Sequence, residues 1–251
     1  MASHFVRWMC NPEMPAGDLT LPQEIVVSAR QLSDKRRDRF IAARLMLAEL
    51  LRRVYGITAL PALTATASGR PRFADPELPD FSIAYAGNMV GVLLAEEGER
   101  AGLDMEIVRA HSRQAQENLL QGLSSAEKTW INAQQDFMEA VTQIWTLRQS
   151  VRKLIGETES DEDSLRLHPA WGRLRSTRYP DIQAICDTEP TLVWSCALSP
   201  ATERLHLWEI DRYHQWKVLR ELELNKPNMG PRTLRLTSLP GERAMPQELD
   251  Y

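Results

Sequence analysis

Residues 81–108 read FSIAYAGNMVGVLLAEEGERAGLDMEIV, and this stretch predicts three consecutive strands. Apolar side chains alternate with small ones over 81–86, which is typical of a strand with one buried face. The nearly unbroken apolar run 89–95 predicts a strand buried on both faces. Gly87-Asn88 between them favours a tight hairpin turn, and a third strand is predicted over 102–108.

Helical patterns lie on both sides of this stretch. From Asp34 to Val54, apolar residues recur at helical spacing, and Gly56 is well placed to end the helix. Residues 124–155 predict helices that are split near Asp136. Between the first helix and the strands, 59–79 is rich in Pro, Thr, Ser and Gly and is predicted to be loop with short extended pieces. Further strands are predicted at 182–186, 192–198 and 205–210.

A helix followed by antiparallel strands therefore occurs twice. This pattern predicts an α+β fold of two pseudo-symmetric lobes, each a helix packed on a small antiparallel sheet. The predicted N-terminal lobe covers 1–110 and the C-terminal lobe 111–224. A tail rich in proline and charge, 225–251, is expected to fray.

Composition excludes several classes of function. The chain has 251 residues, 43% of them apolar and 25% charged, with a formal net charge of −4, so no global basic field indicates nucleic acid as a partner. The three cysteines show no metal-binding or disulfide spacing, which fits a reducing compartment. No apolar run approaches the roughly 20 residues needed to span a bilayer. We therefore expect a cytoplasmic protein with no nucleic-acid or membrane partner.

The first candidate site is Gly102-Leu103-Asp104-Met105-Glu106 in the third strand. Because strand side chains alternate, Asp104 and Glu106 should project together from the face opposite Leu103 and Met105. Two carboxylates on a rigid strand make a hard oxygen site that suits Mg²⁺. The alternative is a half-exposed strand with two solvated acids.

Two further candidates carry positive charge. On the helix around 145–153, Thr142, Thr146, Gln149 and Lys153 share one side, and a row that ends in an ammonium could meet a phosphate. An ordinary solvated helix face is the alternative. Arg44 lies on or beside the apolar stripe of the first helix, where it needs an anionic partner or must extend its head to water. Arg70, in Gly69-Arg70-Pro71, is a cation on a stiff loop, which is a weak signal.

Together and in this order, these pieces resemble the 4′-phosphopantetheinyl transferases of the larger, surfactin-synthetase-activating (Sfp) type. That family shows G-K-P, then F-N-[IL]-S-H-S, then G-[IV]-D-[IV]-E, and later W-[ST]-x-K-E-[AS]-x-x-K. The corresponding stretches here are GRP at 69–71, FSIAYA at 81–86, GLDME at 102–106 and WTLRQSVRK at 145–153. Arg44 resembles the family's helix arginine, and Ser125-Ala126-Glu127 resembles its S-x-x-E stretch. The resemblance covers roughly 34–200 and looks greatest to a divergent enterobacterial branch called YieE.

The resemblance implies a ligand cleft between the two lobes and a reaction. Mg²⁺ on the carboxylates would hold the pyrophosphate of coenzyme A, the substrate. A serine of an apo acyl or peptidyl carrier protein would attack the β-phosphate and release adenosine 3′,5′-bisphosphate. The implied metal ligands are Asp104, Glu106 and Gln149, and the implied catalytic residues are Lys153, Glu127 and Gln149. For coenzyme A, the implied contacts come from Arg44, Arg70, Tyr85, Asp104 and Lys153.

Three departures from the family pattern bear on activity. Tyr85 stands where the family has histidine, with Ala84 and Ala86 in place of its serines. The Lys-Glu pair is Arg148-Gln149, and an amide adds no negative charge and cannot act as a base. A neutral third ligand should weaken Mg²⁺ binding, and Glu127 would then have to replace the missing base. The chain is accordingly expected to be either a monomeric transferase with a divergent site or a coenzyme A-binding protein of the same fold with little transfer activity.

Overall fold

The computed structural model describes residues 2–10, 21–109, 112–156, 165–176, 179–226 and 232–238. Within these ranges the chain forms helices and antiparallel-rich sheets, so the predicted α+β class is confirmed. No helix among the described residues is long and apolar enough to cross a membrane.

The helices and strands have the following bounds. The helices are α1 (Gln23–Arg30), α2 (Asp34–Tyr55), α3 (Arg113–Gln121), α4 (Ser125–Asn132) and α5 (Phe137–Ile155). The first strands are β1 (Ser3–Met9), β2 (Leu63–Ala65), β3 (Pro71–Phe73), β4 (Phe81–Ala86), β5 (Met89–Leu94) and β6 (Arg100–Ile107). The remaining strands are β7 (Leu165–His168), β8 (Arg173–Ser176), β9 (Gln183–Thr188), β10 (Leu192–Ser199), β11 (Arg204–Ile210), β12 (Trp216–Glu223) and β13 (Leu234–Thr237).

These strands form two large sheets and one small one. The five-stranded sheet has the order β12-β11-β1-β5-β4, and the six-stranded sheet has the order β6-β10-β9-β13-β8-β7. The short strands β2 and β3 pair only with each other. Most pairs are antiparallel, but β1 runs parallel to β11 and β13 runs parallel to β8.

Three apolar clusters hold four layers together. The first packs α2 onto the five-stranded sheet, with Leu47 and Val92 among its members. The second packs the two large sheets face to face, for example through Phe5 and Trp194. A third packs α5 onto the outer face of the six-stranded sheet. The layers therefore follow the order α2, five-stranded sheet, six-stranded sheet, α5.

Several local predictions are confirmed because short-range chemistry decides them. The hairpin between β4 and β5 turns at Gly87, whose φ is 60°. Helix α2 ends at Gly56, whose φ of 69° is left-handed, as the sequence predicts. The helices of 124–155 split near Asp136 as predicted, and the structure adds that Asp136 caps the start of α5 by accepting from the backbone N–H of Glu139. The short strands β2 and β3 are the extended pieces predicted in the loop 59–79.

Other elements are absent from the sequence-based prediction. They are β1, α1, α3, β7, β8, β12 and β13. Most are short or carry mixed charge, as in the edge strand β12, whose side chains are largely exposed. Strand β13 lies inside the segment predicted to fray, but it pairs with β9 over Leu234–Thr237. Fraying therefore does not extend to this part of the tail.

The large sheets are not confined to one side of residue 110. Strand β6 precedes this position but joins the sheet that is otherwise built from later strands, where it pairs with β10. Conversely, β11 and β12 follow it but join the sheet of β1. The lobe boundaries at 110 and 224 stay predictions. Each large sheet contains strands from both sides of residue 110.

Gly102 sets the distance between α5 and β6. A Cβ added there would lie 2.0 Å from the backbone oxygen of Ser150 and 2.7 Å from the backbone nitrogen of Leu154. Both atoms belong to the main chain of α5, so a side-chain rotation could not relieve the clash. The helix can therefore lie directly on the strand only because position 102 has no side chain.

We expect Gly102→Ala to destabilise the fold by about 2 kcal/mol or more, because the helix backbone must shift. Urea unfolding at equilibrium measures the loss. Gly91→Ala is a graded control, since its Cβ would meet only side-chain ends, those of Met105 at 2.8 Å and Leu103 at 3.1 Å, and no backbone atom. Gly122→Ala is the neutral control, because Gly122 is exposed and has a φ of −81°. Equal stability of all three variants would show that this contact does not constrain the fold.

Candidate active site

The side chains of β6 alternate as the sequence predicts. Leu103 and Met105 lie in the apolar cluster between the two sheets. Asp104 faces the other way, toward α5, where it binds a side chain of that helix. Glu106 has the same parity along the strand and is exposed. The strand therefore presents both carboxylates on its α5 side.

Asp104 is the central acid of this site. It is only 7% exposed, and its Oδ1 accepts a hydrogen bond of 2.8 Å from the ammonium of Lys153. Its Oδ2 is buried and finds no hydrogen-bond partner among the described residues. Burial raises the pKa of Asp104 although Lys153 acts to lower it. One oxygen of a buried carboxylate is thus left for a ligand.

Lys153 is held by two acceptors on the same strand. Besides Asp104, its Nζ donates to the backbone oxygen of Leu103 at 2.9 Å. This places the last turn of α5 against β6, in the same turn whose Ser150 and Leu154 backbone lies on Gly102. The ammonium therefore both partly balances Asp104 and adds positive charge beside it.

Glu106 interacts electrostatically with the same group of charges. Although the residue is exposed as a whole, neighbouring atoms partly desolvate its carboxylate, and this raises its pKa, as does the neighbouring charge of Asp104, while Lys153 and Arg109 act to lower it. A cation bound beside the two carboxylates would relieve this repulsion.

The donor set fits Mg²⁺. The described residues contain no group of three or more His, Cys, Asp or Glu side chains able to hold a metal ion. Mg²⁺ in enzymes often uses one or two carboxylates and takes its other ligands from water and substrate phosphates. Asp104, with its unpartnered oxygen, and Glu106 supply such a pair.

A cleft of about 280 Å³ lies beside Lys153. Its walls come from the loop before β3, from β4 and from the end of α5, and they include Arg70, Ile83, Gln149 and Lys153. The structure thus brings together three site residues predicted from distant parts of the sequence. Gln149 is half-buried in this wall, one turn from Lys153.

Arg70 is largely engaged with the protein. Its guanidinium donates to the carboxylate of Asp80 and to the backbone oxygen of Phe81, both at 2.6 Å, and to the backbone oxygen of Lys153 at 3.3 Å. These bonds tie the loop to β4 and to the end of α5. The Nε of Arg70 is buried with no partner in the described part of the chain. The main role of Arg70 in this structure is therefore to hold the walls of the cleft together. Only part of its guanidinium is left to bind a ligand.

Arg44 and Tyr85 form a second cluster. The guanidinium of Arg44 lies 3.5 Å from the ring centroid of Phe40 and donates to the hydroxyl of Tyr85 at 3.2 Å. Arg44 is 7% exposed, its Nε lacks a partner among the described residues, and burial lowers its pKa. It lines a pocket of about 410 Å³ that shares Gly69 and Pro71 with the first cleft. The two pockets are therefore neighbours across the Gly69–Pro71 loop.

Glu127 is fully buried and is engaged at both oxygens. Oε1 accepts from Arg148 at 2.7 Å, and Oε2 accepts from the backbone N–H of Ser124 at 2.7 Å in a capping box that starts α4. Arg148, on α5, is itself buried. This geometry is that of a structural ion pair between two helices and does not favour Glu127 as a base.

The N-terminal half of the polar row on α5 does not face a ligand site, although the sequence places the whole row on one side of the helix. Thr142 and Thr146 are buried, and each hydroxyl donates to the backbone oxygen four residues earlier, at 2.7 Å. The neighbouring helices and strands enclose this part of α5, so only Gln149 and Lys153 of the row reach the cleft. Packing around the helix, which its periodicity does not show, is the reason.

Two positioning residues were not predicted. Asp80 accepts from Arg70 and also from the backbone N–H of Ala101 at 2.9 Å. The hydroxyl of Ser82 accepts from the backbone N–H of Leu103 at 2.9 Å. Both hold β4 against β6 beside the metal-binding pair. Asp80 comes directly before the predicted strand at 81–86, and this position could have marked it as a residue that holds the strand in place.

No known protein-family model matches the chain. It is 43% identical to “Uncharacterized protein YieE” of Escherichia coli K12 over 244 residues, which cover 95% of this chain and 96% of that protein. It is also 30% identical over 187 residues to the “Putative 4'-phosphopantetheinyl transferase” of Haemophilus influenzae, covering 72% of this chain and 77% of that one. The chain belongs to the 4′-phosphopantetheinyl transferase superfamily. The transferase AcpT of E. coli K12 is 31% identical over 124 residues, covering 48% of this chain and 59% of AcpT.

In this member of the superfamily, we expect Glu127→Gln to lower the free energy of unfolding by about 3–5 kcal/mol, because it leaves Arg148 charged and buried. Chemical denaturation measures the loss. The double variant Glu127→Gln/Arg148→Met should recover a large part of it, since both charges are then removed. As a control, Glu139→Gln breaks the more exposed pair with Arg232 and should cost at most about 1 kcal/mol. A Glu127→Gln protein of unchanged stability would contradict the structural role.

Proposed function

We propose that this protein transfers the 4′-phosphopantetheine group from coenzyme A to a serine of an apo acyl or peptidyl carrier protein in the presence of Mg²⁺. Adenosine 3′,5′-bisphosphate is the second product, as for a holo-[acyl-carrier-protein] synthase. The observation that carries the proposal is Asp104, which is buried with one oxygen on Lys153 and the other without a partner among the described residues. The transferase names of two relatives support it.

Asp104 and Glu106 would hold the metal ion, and the amide oxygen of Gln149 is the third candidate ligand. When bound, Mg²⁺ neutralises charge on the pyrophosphate and stabilises charge that develops on the leaving group. A neutral Gln149 leaves two carboxylates in this set, which is the number that sites completed by substrate phosphates commonly use.

The cationic residues would bind and orient the substrate. Lys153 lies in the cleft wall beside Asp104 and supplies positive charge where the pyrophosphate would lie. Arg44, which lines the neighbouring pocket, is suited to a phosphate at the other end of coenzyme A, because guanidinium matches phosphate geometry. In this proposal the two adjoining pockets form the cleft between the two lobes, with Gly69–Pro71 at their junction.

The reaction forms one bond and breaks one bond. The serine oxygen of the carrier protein bonds to the β-phosphorus and loses its proton, and the bond from that phosphorus to the bridging oxygen breaks. Adenosine 3′,5′-bisphosphate leaves with the bridging oxygen. The contribution of this chain is to position the two substrates and to place positive charge around the phosphates.

One observation favours a second function, the binding of coenzyme A with little transfer. Glu127 has both oxygens engaged within the fold, and Gln149 cannot accept a proton at neutral pH. The residues expected to activate the serine are thus either occupied or neutral.

Mass spectrometry separates the two functions. The full chain is incubated with coenzyme A, Mg²⁺ and a panel of apo carrier proteins, and each carrier is weighed. Transfer adds the mass of phosphopantetheine to one serine of a carrier. Binding of coenzyme A in calorimetry with no mass gain on any carrier would instead support the second function.

Asp104→Asn should reduce transfer by at least one to two orders of magnitude while the fold survives. The substitution keeps the shape of the side chain but removes a charged metal ligand. Mg²⁺ should raise the melting temperature of the unaltered protein and should not do so for this variant. Glu97→Gln, on a different turn, is the matched control and should behave as the unaltered protein. An Mg²⁺ shift retained in Asp104→Asn would exclude Asp104 as a ligand.

Gln149→Glu should not raise the rate of transfer. The pKa values of Asp104 and Glu106 are already raised, and a third carboxylate nearby would increase their mutual repulsion. Gln149→Leu, which removes the amide oxygen, is the companion variant and should lower the affinity for Mg²⁺. Rates at saturating coenzyme A and carrier protein provide the comparison. A several-fold increase for Gln149→Glu would mark the natural protein as an enzyme weakened by loss of a carboxylate.

A further inference from the structure

Strands β1 and β11 of the five-stranded sheet meet through a pair of histidines. His4 lies directly opposite His206 in the parallel pairing of these strands, and their rings stack with centroids 5.0 Å apart and 26° between their planes. The ring of Trp208, two residues along β11, stacks with centroids 6.3 Å from His4 and 6.5 Å from His206. We call these three residues the histidine joint.

A hydrogen bond within the histidine joint requires His4 to be neutral. The indole N–H of Trp208 donates to Nδ1 of His4 at 3.2 Å. A nitrogen that accepts a hydrogen bond carries no proton, so the neutral ring of His4 has its proton on Nε2. A second proton would enter at Nδ1 and face the indole N–H. Protonation of His4 therefore breaks this bond and leaves the half-buried indole without its acceptor.

The surroundings of the histidine joint give His4 no acid to balance a positive charge. The titratable and charged groups around the joint are Arg204 on β11, Glu221 and Glu223 on β12, Arg53 and Tyr55 at the end of α2, and Glu96, Glu97 and Glu99 in the turn after β5. Among these described groups, only Glu221 forms an ion pair with the joint, and its Oε1 lies 3.3 Å from Nε2 of His206. On β5, the residue opposite His4 is the apolar Leu94. A proton on His4 would therefore add an unpaired charge beside a second imidazole.

We propose that the histidine joint is an acid-sensitive contact, and that protonation of His4 weakens the adjoining end of the pairing between β1 and β11. The strand order β12-β11-β1-β5-β4 places this pairing between the hairpin β11–β12 and the rest of the sheet. Toward the other end of the same pairing, Arg7 lies opposite Glu209 and bonds its carboxylate at 3.0 Å. The strands should therefore separate first at His4. This inference does not depend on the proposed transfer reaction.

The joint should lose stability on the acid side of neutrality. Burial, and after it a positive charge on His206, lowers the pKa of His4 from 6.5 to about 4. Unfolding exposes the ring, which then binds a proton below pH 6.5. The contribution of His4 to stability is therefore complete above pH 6.5 and is lost as the pH falls from 6.5 toward 4.

Thermal unfolding of the full chain at neutral and at mildly acidic pH tests the proposal. His4→Gln keeps an oxygen that can accept from the indole N–H of Trp208 but takes up no proton in this range. From about pH 7 to about pH 5, the melting temperature of the unaltered protein should fall by roughly 3–6 °C more than that of His4→Gln. His168→Gln is the matched control, since it removes a histidine of the other sheet that stacks on Trp171 and not on a second histidine. This control should show the same fall as the unaltered protein.

Two NMR measurements locate the effect. His206→Gln should raise the pKa of His4, followed through its ring C–H signals, because a neighbouring positive charge is removed. At about pH 5, after correction for intrinsic rates, amide exchange at residues 4–5 and 205–207 should be at least about tenfold faster than at about pH 7. Exchange at Trp8 and Ile210, toward the other end of the pairing, should not change. Equal pH dependence of His4→Gln and the unaltered protein, a pKa of His4 that His206→Gln does not move, or uniform exchange along β1 would overturn the proposal.

Discussion

The direct contact between the backbone of α5 and Gly102 on β6 is the constraint on which the rest of the site depends. Since the helix lies on the strand without a side chain between them, its last turn reaches Asp104, and Lys153 can bond both that carboxylate and the backbone of Leu103. A side chain at position 102 would push α5 away from β6 and separate the ammonium of Lys153 from Asp104. The packing of one helix on one strand therefore sets the charge balance of the candidate metal site.

Two cations on helix α5 each form an ion pair with a buried acid, but the two pairs differ. Arg148 and Glu127 neutralise each other fully within the protein, and this pair joins α4 to α5. Lys153 and Asp104 form a more open pair, in which one acid oxygen has no partner in the described part of the chain and the pKa of the acid is raised. The first arrangement suits stability and the second suits a ligand. Family resemblance alone places Glu127 with the catalytic groups, and only its partners show why a structural role fits better.

Strand β6 forms one edge of the six-stranded sheet and holds the acidic pair Asp104 and Glu106 on its α5 side. Strand β6 reaches this sheet from the first half of the chain, so the acidic pair lies where the two halves meet. The candidate site therefore draws on both halves of the chain, since Asp104 on β6 pairs with Lys153 on α5.

Elements whose cause is local could be predicted from the sequence. Backbone preference and strand alternation, which act over a few residues, account for the hairpin at Gly87, the end of α2 at Gly56, the helix break near Asp136 and the facing of Asp104 and Glu106. The order of several short motifs also indicated the superfamily. Long-range packing sets the layer order, the parallel pairing of β1 with β11, and the burial of Thr142, Thr146 and Glu127. These features depend on which distant strands and helices enclose a residue, and neither periodicity nor composition records that.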